Sequence, residues 1–326
     1  MKQLKLIITT IICAIMVVFI SSCVENGKVS GNGKIVLKLN LKKGDAFQYD
    51  ANVDSKISQK MMGMDMDMGT NMFFGYLMEV TNVDEKGNAD FKITYNHIKM
   101  KMTNKMIPAI TYDSDDTTAS SNPALAGFST IKGCSFTMTI SPSGEITNIK
   151  GVDAMFDKMF GAMGSNDPSF ESTKESLKKQ FGEDNIKQTF GSSFNIFPDH
   201  GINIGEIWEK DMKVGGSYPL MMKNKYQLKE IKDGKAILDV NSELLSDKNA
   251  KGLEVMGVKM SYDLKGDQKG TSELDTASGL VTKATLDQKI KGNVKMGASP
   301  MMKDGMEWPM DIQSTTTITV SKPKKS

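Results

Sequence analysis

Methionine is the residue type whose abundance and spacing most suggest chemistry in this chain. The sequence contains 26 methionines among 326 residues, and Met64, Met66 and Met68 alternate with aspartates. Thioether sulfur is a soft ligand that selects Cu(I), so these three residues are candidate copper ligands. Methionine is also a flexible apolar side chain that fills cores and lines adaptable surfaces. The run therefore has two interpretations, a metal site and an apolar wall.

The residues that follow the methionine run favour the apolar wall. Even positions from Met64 onward are almost entirely apolar, while the odd positions include Asp65 and Asp67. This alternation is typical of a strand with one face on a core or a cavity, and copper ligands would not need it to continue so far. We predict a ligand-binding apolar wall and keep copper binding at the three methionines as the alternative. The predicted wall consists of Met64, Met66, Met68, Met72, Phe74 and Tyr76.

Few residues of this chain have the chemistry that catalysis needs. A nucleophilic cysteine needs a nearby base, and the chain has only two histidines, His97 and His200. Cys134 alternates with Phe136 and Met138, which predicts an inert cysteine on the apolar face of a strand. Spacing singles out no pair among the 39 acidic residues. We predict a protein that is not an enzyme, with no catalytic residue and no cofactor.

Charge and composition argue against a nucleic-acid or nucleotide partner. The formal net charge is +2 at pH 7, and it falls to near zero once the two lysines of residues 1–22 are left out. The sequence has no arginine, the side chain that grips phosphate in two places and reads guanine edges. It also lacks a glycine-rich phosphate-binding motif. We therefore expect no nucleic-acid partner.

The N-terminal residues have the pattern of a bacterial lipoprotein signal. Two lysines precede an apolar run that ends in Ser21-Ser22-Cys23. A positive start, a short apolar segment and small residues before the cut are typical of secretory signals. The alternative is a transmembrane anchor, but the run is shorter than the roughly 20 apolar residues of a span. We predict that residues 1–22 are a signal peptide, that Cys23 is lipidated and holds the protein at the membrane, and that residues 23–34 form a tether.

Apolar residues alternate over long stretches on either side of a central segment. This alternation predicts β-strands, in an N-terminal half at residues 35–150 and a C-terminal half at residues 201–326. The parity of the buried positions changes between Tyr95 and Ile98, which predicts a β-bulge near Asn96-His97. Strands that follow one another without interposed helices pair antiparallel.

The centre of the chain has the period of a helix. Methionine and phenylalanine recur there at intervals of three and four residues, which predicts an amphipathic helix over 152–163. Its apolar stripe comprises Met155, Phe156, Met159 and Phe160. Two further short helices are expected, over 167–181 and around 186–190. Together these helices would form an insert at residues 151–200.

Three turns recur in the same order in the two β halves. The matched pairs are Gly44-Asp45 with Gly205-Glu206, Lys86-Gly87 with Asp233-Gly234, and Ser143-Gly144 with Ser278-Gly279. Such dipeptides join or precede strands, so the order indicates an internal duplication. We predict a mainly β protein, an antiparallel curved sheet, open barrel or sandwich built from two related halves with a short helical insert between them.

Four segments of the chain carry a family resemblance. They are Leu39–Asp45, the methionine-rich stretch at 61–72, Phe136–Gly144 and Ile204–Trp208. These segments look like those of uncharacterised envelope lipoproteins of the Bacteroidota. The resemblance implies a β-rich envelope lipoprotein and carries no known activity or functional residue.

These observations together predict a binding protein of the bacterial cell envelope. We expect it to be lipid-anchored, at the outer membrane, and to bind an apolar small molecule without catalysis. The alternatives are a methionine-rich Cu(I)-binding envelope protein and a structural component of the envelope.

Overall fold

One large antiparallel sheet makes up nearly all of the structure. The computed structural model describes residues 33–105, 107–116, 129–162, 183, 194–214, 220–247, 253–255, 258–298 and 304–323. The strands in these ranges are β1 (Ala46–Met61), β2 (Met64–Val83), β3 (Ala89–Asn104), β4 (Ile107–Asp113), β5 (Ser135–Ile140), β6 (Ile146–Lys150), β7 (Ile207–Val214), β8 (Leu220–Lys232), β9 (Lys235–Ser246), β10 (Leu253–Val255), β11 (Val258–Asp275), β12 (Val281–Met296) and β13 (Met306–Ser321). The helix α1 (Val152–Ala162) follows β6. This architecture confirms the predicted mainly β class.

The sheet follows the chain except at one seam. Its strand order is β6-β5-β3-β2-β1-β13-β12-β11-β9-β8-β7, with β4 paired to β3 and β10 paired to β11. At the seam, β1 pairs with β13, so that Tyr49 lies opposite Val320 and Gln59 lies opposite Met310. Among the described residues no pairing joins β6 to β7. The sheet is therefore open between these two edge strands, and α1 lies between them in the chain.

One face of the sheet carries the main core. On β1 the odd-numbered residues such as Tyr49 are buried, and on β2 the even-numbered residues such as Tyr76 are buried. The register places these two tyrosines opposite each other, and their rings stack with centroids 4.8 Å apart. Because successive side chains on a strand point to opposite faces, the alternation in the sequence directs one set of residues into this core.

Helix α1 packs its predicted stripe on the same core. Phe156, Met159 and Phe160 are buried there, and Met155 packs against the border of the core. Lys158 on the opposite side of the helix is exposed. The helix predicted over 152–163 is therefore confirmed, whereas the two helices predicted farther along lie outside the described residues. Within the part of the chain that the structure describes, no helix has the length and apolar character to cross a membrane.

The β-bulge predicted near Asn96-His97 is present in β3. Gly75 pairs with His97 whereas the next residue, Tyr76, pairs with Tyr95. Asn96 is therefore an extra residue in β3, and it shifts the buried positions of this strand from odd to even numbers. Tyr95 and Ile98, on either side of the bulge, are both buried.

The first matched pair of turns makes corresponding hydrogen bonds in the two halves. The Gly44 N–H donates to the Val80 carbonyl at 2.8 Å, and the Gly205 N–H donates to the Leu228 carbonyl at 2.6 Å. A register shift follows directly after each of these two acceptors. The six glycines of the matched turns have φ between 74° and 93°, a conformation that glycine adopts without the steric penalty of a side chain. These details agree with the predicted duplication, which stays a prediction.

Cys134 lies just before β5, which begins at Ser135. The cysteine is half-buried, and its thiol donates to the Thr130 carbonyl with a sulfur–oxygen distance of 2.9 Å. The prediction of a core cysteine within the strand was therefore wrong, because the chain is still turning at this residue.

Candidate ligand-binding site

A second apolar cluster lies apart from the main core, at one end of the C-terminal strands. We call it the methionine cluster. Its buried members are Leu220, Met222, Leu244, Leu264, Ile290, Val294, Trp308, Met310 and Ile312, and the partly buried Ile57, Met61, Met212, Val214, Met260, Tyr262, Met296 and Met306 pack against them. Seven of these seventeen residues are methionine, and they come from six strands. Such a surface is apolar and can adapt its shape.

The sheet register brings together methionines that are far apart in the sequence. Met260 lies opposite Met296, and Met296 lies opposite Met306. Directly opposed residues have Cβ atoms about 4.5 to 5.5 Å apart, so three thioethers are neighbours on one face. Sequence reasoning missed this group because each methionine lies in a different strand, and only the pairing of strands aligns them.

Burial in the methionine cluster decreases toward the end of the strands. On β12, Ile290 is 4% exposed and Val294 is 2% exposed, whereas Met296 near the end of the strand is only half-buried. The Trp308 indole N–H donates to Gln59 Oε1 at 3.0 Å, which satisfies its polar atom and leaves the ring to the cluster. The cluster is therefore an apolar surface that borders water on one side.

A row of polar side chains separates the methionine cluster from the main core. Each member lies opposite the next across neighbouring strands. We call it the polar row, and from the edge strand β7 it comprises Lys210, Asn224, Ser242, Gln268, Gln288, Ser314, Ser55 and Thr70. On β8, two positions away from the row, Tyr226 belongs to the main core and Met222 belongs to the methionine cluster. The row lies between two mainly apolar layers, and on β13 the buried Thr316 widens it beside Ser314.

Side chains of the polar row hydrogen-bond to one another, mostly at long distances. The Ser242 hydroxyl donates to Asn224 Oδ1 at 2.5 Å, and Gln268 Nε2 donates to Ser242 Oγ at 3.4 Å. Farther along, Gln288 Nε2 donates to Gln268 Oε1 at 3.5 Å, and the Ser314 hydroxyl donates to Gln288 Oε1 at 3.5 Å. Typical hydrogen bonds are shorter, about 2.7 to 3.2 Å. The two glutamines therefore keep hydrogen-bonding capacity on the inner face of the sheet.

Two glycines next to the polar row bring β11 and β12 close together. A Cβ at Gly266 would lie 2.1 Å from the Lys289 carbonyl oxygen, and a Cβ at Gly270 would lie 1.9 Å from the Thr285 carbonyl oxygen. Glycine inside a strand commonly marks a tight bend or a close backbone approach. Gln268 lies between these glycines, so the row crosses the sheet where two strands approach closely.

Lys210 is the one charged member of the polar row. It has the same parity on β7 as Trp208 and Met212, which belong to the two apolar clusters, and its side chain is only 14% exposed. Its Nζ donates to Asp199 Oδ1 at 2.6 Å, and the Asp199 side chain is 86% exposed. The hydrogen bond from Lys210 lowers the pKa of Asp199. An inward-facing ammonium thus lies at the edge strand with a solvent-exposed partner.

The residues predicted from the methionine run lie on both sides of Thr70, the last member of the polar row. The last three of them, Met72, Phe74 and Tyr76, are buried in the main core. On the other side of the row, Met68 packs against the border of that core, Met66 is half-buried and Met64 is 55% exposed beside the β1–β2 turn. The run therefore shares one strand face, but its members do not share one environment.

His97, Asp113 and Asp115 form a polar group at β3 and β4, with potential ligand atoms within 4.8 Å of one another. His97 Nε2 lies 2.8 Å from Asp113 Oδ1. Lys99 and Lys132 pair with the same carboxylates, at 2.9 Å to Asp113 and 2.6 Å to Asp115. Hydrogen bonds from the Asp115 N–H and the Lys99 ammonium lower the pKa of Asp113. Because lysines already neutralise both carboxylates, the group is an ion-pair cluster with a hydrogen-bonded histidine.

The second histidine also has a structural partner. His200 Nε2 lies 2.8 Å from Glu206 Oε1, and the other oxygen of this carboxylate accepts a bond from the Asn203 N–H at 3.0 Å. Hydrogen bonds from Asn203 and His200 lower the pKa of Glu206. These contacts hold the turn that leads into β7, and they assign His200 to a local structural role.

The fold and the site define a β-rich protein with an apolar surface at one end of an open antiparallel sheet. A family of unknown function, DUF6263, matches residues 86–281. The chain belongs to this family. A search of curated proteins finds no match.

Solved structures resemble this chain only distantly. A structure described as showing lipid–protein interactions in lipovitellin has 10% sequence identity and a TM-score of 0.46, and the match covers 88% of this chain and 26% of the lipovitellin chain. An outer membrane channel from Pseudomonas putida F1 has 8% identity and a TM-score of 0.22, with coverage of 87% of this chain and 97% of the channel. Similarities this low assign no function.

Proposed function

We propose that this protein binds an apolar ligand, without catalysis, at the methionine cluster. The observation that supports this function is the half-open apolar surface to which six strands contribute seven methionines. Binding sites for small molecules are lined mainly by apolar side chains, and methionine adapts its shape to ligands of different outline. A rim of partly buried methionines would close over a ligand more readily than branched side chains would.

The wall predicted from the sequence adjoins this surface through β1. Met61 of the cluster lies opposite Met64, and Gln59, which binds the Trp308 indole, lies opposite Met66. We include Met64, Met66 and Met68 in the proposed site as its outer wall. Met72, Phe74 and Tyr76 would contribute from the core side, by holding β2 in place.

Native mass spectrometry of the full-length protein tests the proposal. The protein would be purified from its own membranes, examined for a co-purifying lipid, and then titrated with methyl palmitate as a neutral apolar probe. We expect a one-to-one complex. The variant Met296→Gln places an amide within the cluster and should weaken binding by about tenfold, equivalent to about 1.4 kcal/mol.

Met221 provides the matched control for this variant. It lies opposite Leu245 and Lys213, on the face of the sheet that carries exposed residues, beside the inward-facing Met222. Met221→Gln should leave binding of methyl palmitate unchanged. Equal loss of binding in both variants, or no complex with the unmodified protein, would contradict the proposed site.

One observation favours copper binding as a second candidate function. The aligned Met260, Met296 and Met306 give three adjacent thioethers on neighbouring strands, the kind of soft donor set that selects Cu(I). Competition of the full-length protein against a Cu(I) chelator tests it. If copper retention is lost when all three methionines become leucine, while methyl palmitate still binds, these three methionines are copper ligands. A second triple variant, with leucine at Met64, Met66 and Met68, shows whether the copper is bound by these residues of β2 instead.

We also propose that the protein is lipid-anchored in the bacterial cell envelope, at the outer membrane. The support for this is the signal pattern that ends in Ser21-Ser22-Cys23, which lies outside the described residues. A diacylated Cys23 would hold the sheet close to a membrane, where apolar ligands are present. The single-cysteine lipid attachment and the ligand site are independent proposals, and each has its own test.

A further inference from the structure

We infer that the ligand is an amphiphile with an acidic head group, whose head group binds at the Lys210 end of the polar row and whose apolar chain lies along the methionine cluster. This inference depends on the proposed function and goes beyond it by naming the chemistry of the ligand.

The polar row lies between two regions of the interior face. On each side of it most inward-facing residues are apolar, with the buried Thr316 and Ser272 as polar exceptions on the core side, and the row divides one interior face into the main core and the methionine cluster. Burying polar groups costs free energy unless their hydrogen bonds are satisfied. A protein that needed only a stable interior would therefore have little reason to align eight polar residues in register across eight strands.

The two glutamines of the polar row make only long hydrogen bonds. Gln268 is buried and Gln288 is half-buried, and the bonds that join them to each other and to their neighbours are 3.4 to 3.5 Å long. An amide group has two donors and an acceptor. The glutamines can thus accept or donate to the oxygen atoms of a ligand without losing a strong bond in the protein.

The charge at Lys210 selects the kind of head group. Its ammonium faces the interior side of β7, beside the buried Asn224 that lies opposite it, and its partner Asp199 is almost fully exposed. Because the Asp199 carboxylate is mostly hydrated, it gains only modest Coulomb energy from this ion pair. A ligand carboxylate can therefore replace or share the Asp199 contact, with the Asn224 amide next to it.

The methionine cluster begins directly beside this end of the row. Met212 and Met222 lie two residues from Lys210 and Asn224 on the same strands, and they lie opposite each other. From this end the cluster extends across seven neighbouring strands, from Met212 on β7 to Met61 on β1, roughly 29 Å at about 4.8 Å per strand spacing. This length is sufficient for an extended palmitoyl chain, so we take palmitate as the probe.

The test compares palmitate with methyl palmitate by native mass spectrometry of the full-length protein. The two probes have the same chain and differ in the charge of the head group. We expect palmitate to bind at least about tenfold more tightly, which corresponds to about 1.4 kcal/mol. Lys210→Met should remove this preference while methyl palmitate binds as before. Lys213→Met, on the outer face of the same strand, should change neither probe.

A second variant, Asp199→Asn, should change the affinity for palmitate in the opposite direction. Because it removes the exposed competitor for Lys210, it should strengthen palmitate binding and leave methyl palmitate unchanged. This variant decides the question even if Lys210→Met fails to fold, since a side chain that is 86% exposed tolerates substitution. Thermal unfolding of each variant verifies the fold.

The outcomes separate this inference from the proposed function. Equal binding of the two probes, unaffected by Lys210→Met and Asp199→Asn, would overturn the acidic head group and leave apolar binding in place. Binding of neither probe would overturn both. Weaker palmitate binding after Asp199→Asn would show that the ligand does not use the ammonium of Lys210, and this result would also overturn the inference.

Discussion

Gly144 and Gly205 have nearly the same backbone conformation in different surroundings. Their φ angles are +86° and +87°. A Cβ at Gly144 would lie 1.8 Å from the Phe194 carbonyl oxygen, whereas a Cβ at Gly205 would meet no atom within 4 Å. Substituting the two glycines therefore measures two effects on stability separately. At Gly205 only the strain of a left-handed residue is added, whereas at Gly144 the new side chain also meets another segment.

We predict that Gly144→Ala destabilises the protein clearly more than Gly205→Ala. The second variant should cost about 1 to 2 kcal/mol, the penalty of an L-residue in this conformation. The first adds the displacement of the segment at Phe194. Urea unfolding midpoints of the two variants measure the difference. Equal midpoints would show that the backbone at Phe194 yields without cost.

Phe156, Phe160 and Lys158 on α1 provide a second comparison of single residues. Phe156→Ala or Phe160→Ala should lower the free energy of unfolding by about 3 to 5 kcal/mol, as for other buried phenylalanines. Lys158→Ala should change it by less than about 0.5 kcal/mol, because the side chain is exposed. Chemical denaturation measures both effects, and similar midpoints for the three variants would mean that α1 does not pack on the sheet in solution.

Individual strands and the helix were predictable from the sequence because their periodicity is local. The alternation on β2, the parity change at Asn96 and the helical stripe through Phe156 each depend on residues that are close in the chain. The polar row was not predictable in this way. Members such as Gln268 and Ser242 are scattered polar residues on mainly apolar strand faces, and only the register across eight strands aligns them.

The methionine cluster could not be predicted from local periodicity either. Its members are distributed over seven strands, and their neighbourhood depends on pairings that local sequence does not specify. The run at Met64–Met68 was visible because its members are two residues apart. Sequence periodicity therefore located one strand of the proposed site and could not assemble the others.

The triple variant of Met64, Met66 and Met68 to leucine tests whether β2 needs sulfur or only apolar volume. We predict that folding is retained, with a change of at most about 1.5 kcal/mol per site, because leucine roughly preserves volume. Serine at all three positions should destabilise the protein or weaken binding of methyl palmitate. Thermal unfolding and the probe titration measure both effects. A leucine variant as impaired as the serine variant would contradict the apolar interpretation.

The proposed lipid attachment at Cys23 concerns the whole molecule, and a single substitution tests it. If the signal is processed as a lipoprotein, the N-terminal peptide should carry diacylglycerol and an acyl chain, which together anchor firmly. Cys23→Ala should leave an unprocessed precursor in membranes. Intact mass measurement checks both, and an unmodified cysteine in protein that osmotic shock releases would contradict the lipid anchor.

The N-terminal and C-terminal β halves meet at the β1–β13 seam, and this seam has a consequence for the newly made protein. Every other pairing along the main path of the sheet joins strands close in the chain, so each hairpin can close soon after its second strand emerges. β1 must wait until residues 306–321 have been synthesised. Until then the edge of β1 that later faces β13 remains unpaired, and exposed strand edges invite aggregation. Until β13 pairs with β1, the protein should therefore require a chaperone that shields this edge.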